Sequence, residues 1–264
     1  MGKPLAGVGH PDPVIADAVT DYWTLGATVT DLGDAVLVHR DGLPTSTFLH
    51  RLRPASSREL DGVLEAAAGV AGEDVARIVL DPDAPPFVEA ELRVRGWAVD
   101  HAVQLVLPVG VDVPGLPDGP VRPAVEADRP ALRALFRADH VEEDERGRRP
   151  ARSEERTDAI VAERWSLGPA VRWFVVDEGD GPVGFFASWG GARGVGVVED
   201  LFVRADRRGR GYARALIATA VAAARADGAE EVVIGADPTD TPQRLYARLG
   251  FRPALVLRAA TAPA

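Results

Sequence analysis

The chain has 264 residues, enough for one large domain or two of about 100–150 residues each. Hydrophobic residues at 46% and charged residues at 27% describe an ordinary globular chain, neither disordered nor fibrous. A net charge of −10 disfavours non-specific nucleic-acid binding, and the lack of cysteine excludes disulfides, thiolate metal sites and cysteine nucleophiles.

The five histidines (His10, His39, His50, His101 and His140) include no i, i+4 pair, so no metal is expected. The first thirty residues lack a basic stretch followed by an apolar core. Met1-Gly2 is followed by Ala6 where a myristoylation signal wants Ser or Thr. Apolar runs such as Ile217–Ala224 are too short to span a membrane. These features predict a cytoplasmic protein with no membrane contact. The acidity keeps such a chain soluble and is compatible with a cationic small substrate.

In the first half, Leu49–Pro54 contains no glycine-rich turn, and a helix begins near Ser57 with Ser56 and Glu59 in the capping-box pattern. Arg77–Leu80 then reads as a strand, followed by Asp81-Pro82, a helix through Phe87–Leu92, Gly96-Trp97 and the strand Ala102–Leu107. Leu107–Pro123 is rich in proline and glycine and reads as a linker. In the second half, Val121–Val125 starts a strand and Asp128 caps a helix from about Pro130 to Ala138. His140–Pro150 reads as a charged loop and Glu154–Trp165 as a helix. Arg172–Val176 and Pro182–Trp189 form a hairpin through Glu178–Gly181, and Val195–Val203 is a third strand. From Gly211 to Ala226 the apolar positions step along one helical face, closed by Gly228. Glu231–Ala236 is a strand, Thr239–Leu249 a helix and Phe251–Leu257 a last strand.

Strands alternating with helices after an antiparallel opening predict an α/β fold of the α+β kind, with mixed sheets flanked by helices. The order strand, Asp-Pro, helix, Gly-aromatic, strand occurs twice, ending at Gly96-Trp97 plus a strand and at Gly250-Phe251 plus a strand. It predicts a duplication, with domains at 1–115 and 116–264.

The stretch Arg208-Gly209-Arg210-Gly211-Tyr212-Ala213 lies between an apolar strand and an amphipathic helix. A helix N-terminus offers unpaired N–H groups and the positive end of the dipole, so it attracts an anion. Glycine lets the backbone approach the anion, and Arg207, Arg208 and Arg210 add positive charge. A P-loop would need Gly-Lys-Ser/Thr, and a dinucleotide fingerprint would need glycine where Arg214 stands. What remains is R-x-x-G-x-A.

With Leu245-Tyr246-Ala247-Arg248-Leu249-Gly250-Phe251 downstream, this pattern resembles the GNAT acetyltransferase superfamily over about Val121–Leu257, and the resemblance fades in the first half. The resemblance implies that Arg208, Gly209, Arg210, Gly211, Tyr212 and Ala213 hold the pyrophosphate of acetyl-CoA. It implies that a backbone N–H among Leu201, Phe202 and Val203 polarises the thioester oxygen, that Tyr246 protonates the departing thiolate, and that Glu199 is the base. Thr239 stands where the family often has an asparagine on the cofactor, and Pro242 replaces a usual alanine. Strand alternation predicts that Glu199, Leu201 and Val203 share one face while Asp200 points away.

The acidic run Glu142-Glu143-Asp144-Glu145 reads as a solvated face or, alternatively, as a receiving surface for a cationic acceptor. Trp165, Trp173 and Trp189 read as core. The function so implied is acyl-CoA-dependent N-acetylation of a small-molecule amine by the second half. The first half would be a degenerate copy that supports the fold, covers the acceptor cleft or makes a homodimer. A non-catalytic acyl-CoA-binding module, or transfer of another acyl group, is the alternative.

Overall fold

A computed structural model describes residues 13–40, 47–114, 120–147, 151–238 and 242–263. The first half folds as α1 (Pro13–Thr24), β1 (Thr28–Asp31), β2 (Val36–His39), β3 (Phe48–His50), α2 (Ser57–Ala71), β4 (Arg77–Leu80), α3 (Pro86–Val94) and β5 (Ala98–Leu107). The second half follows as β6 (Val121–Pro123), α4 (Arg129–Gly147), α5 (Glu154–Ser166), β7 (Val171–Asp177), β8 (Pro182–Ala192), β9 (Val195–Val203), α6 (Tyr212–Ala226), β10 (Glu231–Ala236), α7 (Pro242–Arg248) and β11 (Arg252–Thr261).

All of these strands join one mixed sheet in the order β1-β2-β3-β4-β11-β5-β10-β9-β8-β7-β6. The order has an internal symmetry. β3 is parallel to β4 as β9 is parallel to β10, and each of these parallel pairs then meets an antiparallel strand from the other half. Thus β5 lies between β10 and β11, and β11 lies between β4 and β5. Each half has lent its last strand to the other. The strand–helix–strand repeat of the sequence, β4-α3-β5 and β10-α7-β11, maps onto the two sides of this exchange.

Helices cover both faces of the sheet. On one face α6 and α7 bury Leu216, Ile217, Ala220 and Tyr246 against Val198, Val232 and Ile234, while α2 and α3 bury Leu60, Val63, Val88 and Leu92 against Ile78 and Leu80. The other face carries α4 and α5, whose Leu132, Leu135, Phe136 and Val161 meet Trp173, Phe185 and Val197. There α1 crosses the middle of the sheet, setting Ile15, Ala18 and Val19 on Val195, Val233, Leu255 and Leu257. Its apolar positions recur at helical spacing, which is why a helix of twelve residues holds together on packing.

The expected charged loop His140–Pro150 is instead the end of α4 as far as Gly147, and residues 148–150 lie outside the described ones. Two polar residues one turn apart are buried there, and their partners fix the helix. The Nδ1 of His140 meets Thr157 Oγ1 at 2.9 Å, and its ring lies edge-on to Phe136. Asp144 accepts hydrogen bonds from the backbone N–H of Arg152 at 2.8 Å and from its Nε at 3.0 Å. The acidic run is thereby dispersed around the helix rather than gathered on one surface.

Candidate active site

β9 and β10 pair from Val195↔Glu231 to Val198↔Ile234 and then part. β10 continues against β5 and β9 against β8, so the facing edge of β9 beyond Val198 turns its backbone groups into a cleft. Glu199 stands at the fork. It lies beside Gly235, where an added Cβ would be in van der Waals contact with Glu199 Oε1 at 3.5 Å and Gln104 Nε2 at 3.4 Å.

The next residue, Asp200, adopts φ +64°, and the β8–β9 register slips between Ala187↔Glu199 and Phe185↔Phe202. This is a β-bulge. It overturns the expected alternation. Glu199 and Asp200 both line one cavity, whereas Leu201 and Val203 pack on the α6 side and Phe202 on the α4 side. The left-handed conformation, which Asp tolerates better than most residues, is held by an ion pair from Asp200 to Arg164 of α5.

At the far end of β9 the chain makes a short 3-10 turn at Ala205–Arg207, then enters α6 through Gly209 (φ +78°) and Gly211 (φ +84°). Gly211 is the N-cap of α6 and supplies no side chain, so the first-turn N–H groups face outward uncapped. The symmetry-related α2 is closed at this point. Ser56 Oγ accepts from Glu59 N at 3.3 Å, and the Glu59 carboxylate accepts from Ala55 N at 2.7 Å. Local chemistry thus opens one helix end to an anion and seals the other.

The arginines of the loop are engaged. Arg207, Arg210 and the Tyr212 hydroxyl all donate to Glu178, at 2.8, 3.1 and 2.6 Å. These contacts, the Tyr212 bond foremost, hold the Glu178 carboxyl below its usual range. Arg208 folds back, donating from Nε to Val203 O at 2.8 Å and from its fork to Glu142 at 2.5 Å, with its guanidinium over the Phe202 ring. What the loop leaves available is therefore backbone amides more than free positive charge. Ala213 packs against the core. Tyr246 is buried on α7 with its ring 6.0 Å from Phe251. Thr239 lies outside the described residues.

Below the fork, a cavity of about 340 Å³ opens between α1, α4, α5 and the sheet. The second half contributes Asp139, Glu143, Arg164, Glu199 and Asp200; the first half contributes Tyr22, Trp23, Arg40, Phe48 and Arg77. Burial, reinforced by Asp200, pushes the Glu199 carboxyl up to about 7 against the pull of Arg164 and Arg77. Burial and then the nearby Glu143 and Asp200 push Asp139 up to about 8, while burial and the Arg152 charge pull His140 down to about 4. Paired carboxylates with raised affinity for protons in a cleft are suited to proton transfer near neutral pH.

Of this constellation the sequence indicated Glu199 as the base and, as the alternative reading of the acidic run, Glu143 on the acceptor side. Asp139 and Glu143 sit on the part of α4 adjoining or inside the acidic run; Phe48 and Arg77 come from strands of three and four residues, and Tyr22 and Trp23 from the end of α1, where nothing local marks a cavity. One signal was present: Arg77 heads the otherwise apolar strand Arg77-Ile78-Val79-Leu80, where a charge needs a reason.

Residues 130–251 match the model of the acetyltransferase (GNAT) family. The chain also resembles a GCN5-related N-acetyltransferase from Kribbella flavida, with a TM-score of 0.68 at 20% identity over 95% of each chain. A conserved protein of unknown function from Staphylococcus epidermidis superposes with a TM-score of 0.69 at 11% identity, covering 89% of this chain and 94% of that one. A tandem GNAT protein from the clavulanic acid biosynthesis pathway superposes at 0.52 and 17% identity, covering 87% and 79%. No curated protein sequence matches. The second half thus carries a match to the GNAT acetyltransferase family over residues 130–251, and the chain as a whole shares the fold of these proteins.

Proposed function

We propose that residues 116–264 transfer an acetyl group from acetyl-CoA to the primary amine of a small molecule by direct attack in a ternary complex. Residues 1–115 are then a degenerate copy that has lost its anion loop and kept a share of the acceptor cavity. The observation that carries this reading is the position of Glu199, at the fork of β9 and β10 and in the wall of the cavity at once.

The open N-terminus of α6, with Gly209 and Gly211 in the left-handed region, fits a pyrophosphate, and the parted edge of β9 fits an extended amide-bearing arm. Acetyl-CoA supplies an activated thioester. Glu199 takes the proton of the attacking ammonium, directly or through water. A backbone N–H of Leu201, Phe202 or Val203 stabilises the negative charge that develops on the carbonyl oxygen, and Tyr246 donates a proton to the leaving thiolate.

Acetyl-CoA titrated into the protein is expected to bind in calorimetry. Gly211→Val, which forces a β-branched residue into a left-handed backbone, is expected to weaken that binding about 10-fold. An amine library assayed for release of free thiol is expected to reveal turnover that falls about 100-fold in Tyr246→Phe. No binding at millimolar acetyl-CoA would sink the reading. Tight binding without turnover of any amine would leave a coenzyme-binding module in its place.

A further inference from the structure

Most charges around the cavity are matched within the protein. Arg40 pairs with Glu163 at 2.9 Å, Arg164 with Asp200, and Arg152 with Glu143 at 2.6 Å and Asp144 at 3.0 Å. Among the described residues that line the cavity, the carboxylates of Glu199 and Asp139 and the guanidinium groups of Arg77 and Arg156 have no ion pair. Charges of both signs are therefore left over in one small space.

Arg77 is the telling member of this set. It stands at the start of β4 with its guanidinium over the face of Trp23, the carbon 5.6 Å from the ring centre. The ring supports the plane of the guanidinium by a cation–π contact and leaves N–H donors at its edge. Arg77 is open to water through the cavity while protein surrounds it, and burial together with the Arg164 charge pulls its proton affinity below the usual range. A guanidinium held by stacking and lacking a carboxylate partner is configured for bidentate recognition of a carboxylate. Its charge and that of Glu199 act on each other across the cavity.

We propose that the acceptor is a zwitterion, an amine that also bears a carboxylate, with its nitrogen at Glu199 and its carboxylate on Arg77. The proposal rests on the acyl-transfer reading and narrows it. One small molecule of this kind answers one leftover charge of each sign, Glu199 and Arg77, and a cavity of about 340 Å³ is of the size that encloses one. Arg156, exposed and also lining the cavity, is a second cation there. The first half thereby acquires a direct task, since the carboxylate anchor and its aromatic support both belong to it.

The test compares matched pairs of amines: phenylalanine with phenethylamine, lysine with cadaverine, and γ-aminobutyrate with butylamine. Binding is followed by calorimetry with coenzyme A present, and turnover by thiol release from acetyl-CoA. In the wild type at least one carboxylate-bearing member is expected to exceed its partner in kcat/KM by about 30-fold or more. In Arg77→Gln the two members of that pair are expected to come within about 3-fold of each other, mainly through KM, with Arg77→Lys between. The acetyl-CoA affinity of both variants reports that the fold is intact. Acetyl-CoA binding with amine turnover but no preference for the carboxylate overturns this proposal alone. So does binding of acetyl-CoA by a protein that binds no carboxylate-bearing amine. Failure of acetyl-CoA itself to bind overturns the acyl-transfer reading along with it.

Discussion

Glu199→Gln is expected to lower kcat/KM for the amine by about 10²- to 10³-fold, the usual size of a lost general base. In the wild type kcat/KM should rise with pH and level off above about 7, because the carboxyl must be ionised to accept a proton and burial holds it near that value. The variant should lack this limb. The groups that face Glu199 set the position of the midpoint: Asp200 raises it, Arg164 and Arg77 lower it, and Glu143 raises it further. Arg77→Gln should therefore move the midpoint upward. A profile in Glu199→Gln that matches the wild type would assign the base elsewhere.

The same substitution is expected to stabilise the protein at alkaline pH. A carboxyl whose affinity for protons is higher in the folded state favours folding where both states are protonated, below about 4.5, and that contribution is lost as pH rises through about 7. Gln carries no such cost. Glu199→Gln should melt higher than the wild type at pH 8, by about 2–4 °C for each kcal/mol relieved, and close to it at pH 4. A gain in stability joined to a loss of turnover is the signature of a group kept for chemistry.

Residues 1–115 and 116–264, produced separately, are each expected to fail to fold, and to form a one-to-one complex when produced together. β5 pairs with β10 and β11, both in the second half, and β11 pairs with β4 and β5, both in the first. Each fragment would thus hold a ten-residue strand with no partner strand of its own half. Leu105, Leu107, Leu255 and Leu257, all buried in the intact chain, would be uncovered along with the open edges of β4 and β10. Thermal melts followed by circular dichroism decide it. A cooperative transition of monomeric 116–264 would show that the exchange is dispensable.

What could be read from the sequence was what local chemistry dictates. The place of the Arg208–Ala213 turn at the start of α6, the amphipathic period of α6 and the Ser56–Glu59 cap need only neighbours in the chain, and these stand as expected. The pairing of the loop's arginines with Glu178 and Glu142 could not be read locally. The bulge at Asp200 was hidden because its cause, Arg164, lies in another element. The length of α4 was hidden for a related reason. Its second half looks like a solvated run until the burial of His140 and Asp144 is known. The strands β1, β2 and β3 span four, four and three residues, too few to establish a period, so of the first-half wall of the cavity only the charge of Arg77 at the head of an apolar strand stood out. Strand exchange is invisible to any pattern that ends at a turn, since a borrowed strand alternates like a native one.

The exchange also bears on how the chain is made. During translation β4 and β5 emerge long before the strands that will flank them, because Arg77 must await Thr261 and Leu107 must await Val232. The first half can compact around α2 and α3, yet the middle of its sheet stays unzipped until residue 261 has left the ribosome. A nascent chain paused anywhere between these points displays two bare strand edges, which makes it a natural client for chaperones that shield such edges.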